Sequence, residues 1–114
     1  MPEFFGLDGE VISYEKWSEI FAGRDRFLAG ERIVEKRVRV STVWIGTAWL
    51  LEDLEGQRPL IFETMVFEDA DDAWDDLGCW RWASREEALN GHAKIVDDIR
   101  NGALVLEPLS DLDD

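Results

Sequence analysis

Arg37-Val-Arg-Val-Ser-Thr-Val-Trp-Ile-Gly46 is the stretch on which the fold turns. Strand side chains alternate between two faces, so Val38, Val40, Thr42 and Trp44 share one side and Arg39, Ser41, Val43 and Ile45 the other. The odd side starts charged and ends apolar. A strand of this kind begins near solvent and runs into a core, with cover expected on both sides. It leaves room to begin as early as Arg32.

Upstream, Asp8-Gly9 supplies the turn residues that open a short extended segment at Val11 and Ile12. Ser13 is a helix N-cap, and Trp17, Ile20 and Phe21 follow at helical spacing until Gly23. Residues 24–36 then hold Arg24, Arg26, Arg32 and Lys36, the one locally basic part of the chain. Downstream, 47–59 reads as a connection, most simply a hairpin. Residues 60–67 read as a strand apolar on both faces, hence packed on two sides, with Glu63 its one charge. Cys79–Trp82 makes a third short strand in which Trp80 and Trp82 share a face. Ser84 and Glu87 form a capping box. Beyond it, Ala88, Leu89, His92, Ile95, Val96 and Ile99 line one face of a helix that Asn101-Gly102 ends. Residues 103–109 add an edge strand or lie over the core. The expected fold is α+β: a three- or four-stranded antiparallel meander, an N-terminal hairpin and short helix, and a C-terminal helix packed across the sheet. One domain spans 1–109 and a frayed acidic tail 110–114.

With 26 Asp and Glu against 12 Lys and Arg, the formal net charge is −14. The acid is uneven: residues 1–50 carry eight acids and seven bases, while 51–114 carry eighteen and five. Nucleic-acid backbones and anionic membranes are disfavoured by repulsion, and a basic protein surface is favoured. Six Trp and six Phe speak against disorder. No long apolar run and no signal-peptide pattern occurs, so a cytoplasmic location is expected.

Several groups are candidates for chemistry. His92, the one histidine, could pair with Glu63 beside Thr42 or Thr64 as a general base oriented by a carboxylate. The plainer reading is a boundary histidine bonded for stability, because no nucleophile motif accompanies it. Cys79, alone, reads as a small buried hydrophobe, and with no Cys/His cluster no metal or cofactor is expected. Residues 68–76 hold six carboxylates, among them Asp69, Asp71, Asp72, Asp75 and Asp76, with Trp74 in their midst. Their order does not fit a Ca²⁺ loop. They suit a surface that meets a basic protein partner, in the sharpest form by imitating duplex phosphates in a nucleic-acid enzyme's cleft; simple solubility is the alternative. Trp49 lies in a connection and is a candidate interface anchor, and a homodimer through an edge strand or through Trp49-Leu50-Leu51 is a further expectation.

Three blocks, Val40-Ser-Thr-Val-Trp-Ile-Gly46, Pro59-Leu-Ile-Phe-Glu-Thr-Met-Val-Phe67, and Arg81-Trp-Ala-Ser-Arg-Glu-Glu-Ala88 with Gly91-His92, resemble a family of small actinobacteriophage proteins. The likeness covers roughly residues 38–96 and is most specific in Phe-Glu-Thr-Met-Val-Phe. Many members place an Asp-His pair after the Gly that matches Gly46; here Thr47-Ala48-Trp49 stands instead, so no role of that pair carries over. The resemblance implies a phage origin and a host cytoplasm, and no activity. The expected function is a non-enzymatic accessory protein that binds a host or phage protein through an acidic, Trp-bearing surface. A small ligand-binding domain or enzyme built on Thr42, Glu63 and His92 is the alternative.

Overall fold

The computed structural model describes residues 3–48, 54–55, 58–70 and 76–106. Its centre is an antiparallel four-stranded sheet ordered β3-β4-β8-β9, from Phe27–Ile33, Val38–Trp44, Phe62–Glu68 and Asp76–Trp82. Beside it, β1 (Glu3–Phe5) pairs with β2 (Val11–Ile12) and with β5 (Thr47–Ala48), and β6 (Leu54–Glu55) with β7 (Arg58–Pro59). The helices are α1 (Tyr14–Ala22) and α2 (Arg85–Arg100). Among the described residues no helix is long and apolar enough to cross a membrane.

The caps lie where the sequence puts them. Ser13 Oγ accepts from Lys16 N and Ser84 Oγ from Glu87 N, each at 3.1 Å. Glu87 completes its box by accepting from Ala83 N at 3.3 Å, one residue upstream of the expected amide, while its other oxygen takes Arg58. Those bonds, led by the one from Arg58, hold the Glu87 carboxyl below its ordinary range. Gly102, at φ 77, closes the stretch after α2.

Three expectations need correction. The central strand does not reach back to Arg32. Val34–Lys36 form a 3₁₀ turn and Arg37 adopts the left-handed conformation, φ 58 and ψ 37, so the chain reverses there. Phe27–Ile33 is therefore a strand of its own and supplies the fourth strand of the sheet, while 103–106, the described part of 103–109, form none. A non-glycine residue in that conformation leaves no turn signal to read. The helix Leu89 is 40% exposed, outside the buried stripe of Ala88, His92, Ile95, Val96 and Ile99. Finally, β4 and β8 are not equally covered on both faces: both follow a buried-then-intermediate alternation, broken in β8 only at its last residue, Glu68. Val38, Val40, Thr42, Trp44, Phe62, Thr64 and Val66 are at most 1% exposed, whereas their odd neighbours are half-buried.

The covered face divides into two apolar clusters. Ile33, Val38, Val40 and Val66 pack with Ile95, Val96 and Ile99, and Leu104 and Leu106 lean on them after the helix ends. Phe5, Trp44, Ile61 and Phe62 pack with Ala88, joined by Trp17 and Ile20 of α1. Trp17 also donates to Ile45 O at 2.9 Å and lies 4.8 Å from the Phe21 ring. Gly46, at φ 69, ends the central strand because a Cβ there would strike the indoles of Trp44 and Trp17.

Candidate functional site

Between the two clusters, at the midpoints of β4 and β8, sit Thr42 and Thr64, directly opposed in the ladder. Each is 0% exposed. Their hydroxyls are 2.6 Å apart, Thr42 Oγ1 is 2.7 Å from His92 Nδ1, and Trp82 Nε1 donates to Thr64 Oγ1 at 2.9 Å. An indole N–H can only donate. Thr64 therefore accepts from Trp82, and every hydrogen is used when Thr64 donates to Thr42 and Thr42 to His92 Nδ1. That direction leaves the imidazole neutral with its proton on Nε2. Burial, partly opposed by Glu31, likewise pushes the His92 pKa below 6.5.

Thr42, Thr64 and His92 thus come together as the sequence suggests, but Glu63 does not join them. Its odd position places it on the other side of the sheet, where it meets Arg81 Nε at 3.3 Å. Cys79 shares that side, exposed there rather than buried as the sequence suggests, and local desolvation followed by the Glu63 charge pushes its thiol up to about 11. A thiol so placed is a poor nucleophile at neutral pH. Among the described residues no carboxylate is hydrogen-bonded to the imidazole, and the Thr42 hydroxyl it meets is sealed in the core. The bonded group links β4, β8, β9 and α2 between the two apolar clusters.

The acidic stretch is described only at its ends. Asp69 accepts from Arg32 Nε at 2.6 Å, and Asp76 opens β9, exposed. Asp71, Asp72, Trp74 and Asp75, like Trp49, lie outside the described residues. Among the described residues no three His, Cys, Asp or Glu side chains gather as metal ligands.

What the sequence did not flag is a groove of about 730 Å³ between β9 and α2. Trp80 and Trp82 floor it from the strand. Asn90, Gly91, Lys94, Ile95 and Asp98 wall it from the helix, Glu87 stands at one end, and Ala103 with Leu104 at the other. The signal was present in Gly91, a residue costing about 0.5–1 kcal/mol in a helix interior relative to Ala. Its hydrogen is needed because a Cβ would collide with the Trp82 indole. Trp80 and Trp82 share the face that α2 covers, yet both remain partly exposed because α2 runs out of width before it reaches the last strand. Among the described residues β9 pairs only with β8, and no described strand takes its other edge. Alternate residues along a free edge offer N–H and C=O groups to a further strand.

No family model, no curated protein and no solved structure matches this chain.

Proposed function

We propose that this protein is a non-enzymatic binding module that takes an extended, basic segment of another protein along the free edge of β9. The observation that carries this reading is the coincidence of that edge with the indole-floored groove beside it. Main-chain bonds to a seven-residue strand supply a sequence-independent share of affinity. Side chains at alternate positions of the incoming segment reach Trp80 and Trp82, and aromatic floors of this kind carry disproportionate binding energy. Charge selects the partner. The strand is preceded by the six carboxylates of 68–76 in a chain of net charge −14, so Lys- and Arg-bearing segments are steered toward it at low salt.

With the resemblance to small actinobacteriophage proteins, the partner is a host or phage protein met in the host cytoplasm. In the sharpest form of the proposal it is a nucleic-acid enzyme or defence protein, silenced by occupation of its basic segment. The experiment is selection from a displayed library of random linear peptides, against the protein and against Asn90→Trp. Asn90 is exposed on the groove wall, so the substituted indole fills the groove without entering the core. We expect enrichment of peptides alternating apolar with Lys or Arg residues, and their loss on the variant and in high salt. No enrichment, or equal enrichment on the filled groove, overturns the proposal.

A further inference from the structure

The other flank of α2 faces β3, and its electrostatics are reversed. A cavity of about 500 Å³ there is lined by Arg24, Asp25, Phe27, Leu28, Arg85 and Leu89. Among the described residues, nearly every cation in this acid-rich chain has a partner. Lys16 meets Glu19, Arg32 meets Asp69, Arg58 meets Glu87, Arg81 meets Glu63, Lys94 meets Asp98 and Arg100 meets Glu31. Arg26 lies over the Phe21 and Phe27 rings, Arg39 lies over Phe67, and Arg37 is likewise engaged. Three have none: Lys36, Arg24 and Arg85. Two of these three line one cavity, and Asp25 beside them pairs with neither.

Arg85 stands where a cation is least welcome. It is the first residue of a sixteen-residue helix, at the positive end of the helix dipole. An anion placed there would be drawn by the helix end and by both guanidinium groups, each able to present a planar fork of donors to a carboxylate. Asp25 apart, the rest of the lining is apolar and open: Phe27 is 61% and Leu89 40% exposed, so two of the chain's exposed large hydrophobics border the same two arginines.

We propose that this cavity binds a carboxylate borne on an apolar body, the charge held between Arg24 and Arg85 and the body laid on Phe27, Leu28 and Leu89. A polyanion would meet the repulsion of the whole molecule, whereas one charge on an apolar body meets little of it and buries surface as well. Such a group is found at the end of a peptide with an apolar last residue, or on a free aliphatic acid. The site is separate from the β9 groove and does not depend on it.

The test follows the methyl resonances of Leu28 and Leu89 as the full chain is titrated with hexanoate, hexanol, inorganic phosphate, and acetyl-Gly-Gly-Leu as free acid and as amide. Arg24→Gln and Arg85→Gln are titrated alongside. We expect saturable shifts with the carboxylates, weakened about tenfold or more by either substitution and by loss of the charge in hexanol or the amide. Tighter binding of the tripeptide acid than of hexanoate assigns the site to a chain terminus, and the reverse order to a free acid. Arg85→Gln should also raise the melting temperature slightly without ligand, which shows that any lost binding is not lost folding. Absence of saturable shifts, equal binding by the variants, or phosphate binding as tightly as hexanoate overturns the proposal.

Discussion

The two faces of β4 and β8 are made by alternate residues of the same two strands, yet they differ in what is at stake. On the covered face, side chains from Val38 to Trp44 and from Phe62 to Val66 are at most 1% exposed, and even the polar ones are fully bonded. On the other, Ser41, Val43, Glu63, Met65 and Phe67 are half-buried, Glu63 meets Arg81, and the Arg39 guanidinium lies 4.6 Å from the Phe67 ring centre. Apolar content is not what separates them, since Val43, Met65 and Phe67 are as apolar as their neighbours. What separates them is the helix. Where α2 covers, a lost methylene leaves a void and a lost hydroxyl leaves an orphan; where it does not, water fills both places.

The contrast is sharpest at adjacent residues of β4. Trp44→Ala empties a 0% exposed site and frees Phe5 O from the indole N–H at 3.1 Å, and should cost about 3–5 kcal/mol by urea denaturation. Val43→Ala, one position back, should cost about 1 kcal/mol or less. An effect between these two is expected from Thr64→Val, which strands the Trp82 N–H and takes the donor from Thr42; about 1–3 kcal/mol should be lost in the same assay. If Val43→Ala cost as much as Trp44→Ala, the two faces would be equally packed and the contrast would fail.

His92 adds a pH dependence to the covered face alone. The unfolded chain takes up its proton near pH 6.5, while burial delays uptake in the folded protein to lower pH. This contribution is therefore complete above pH 6.5, falls as pH drops through that value, and levels off below the folded pKa. Urea midpoints at about pH 7.5 and about pH 5.5 should differ, and His92→Asn, whose amide oxygen can accept from Thr42 without titrating, should narrow the difference. The smallest effect belongs to the other face. Glu63→Gln breaks a partly exposed pair and should change stability by no more than about 1 kcal/mol. It should lower the Cys79 pKa from about 11, seen as faster thiol alkylation at a given alkaline pH.

Much of this was legible in the sequence, and unevenly so. The alternation of β4, the Ser13 and Ser84 caps and the shared face of Trp80 and Trp82 follow from local rules, and each stands in the structure. The separate strand Phe27–Ile33 was not legible, because its turn rests on Arg37 in a conformation that glycine or asparagine would have announced. Parity already separated Glu63 from Thr64, so the Glu63 and His92 pairing was readable as improbable from residue numbers alone. The Thr42, Thr64, His92 and Trp82 relay needed the register of three strands and the rotation of α2, both of which are tertiary facts. So did the groove and the arginine cavity, which exist only because one helix covers the middle of a four-stranded sheet and leaves a margin on each side.

That margin at β9 is where the covered face meets solvent, and amide hydrogen exchange along Asp76–Trp82 tests its role most directly. In the free protein the amides of alternate β9 residues, those directed away from β8, should exchange freely. With saturating amounts of a library-selected basic peptide they should become protected, while the β8-facing amides change little. Protection that appears elsewhere and leaves the β9 edge exchanging as before would contradict strand addition, and with it the function proposed for this fold.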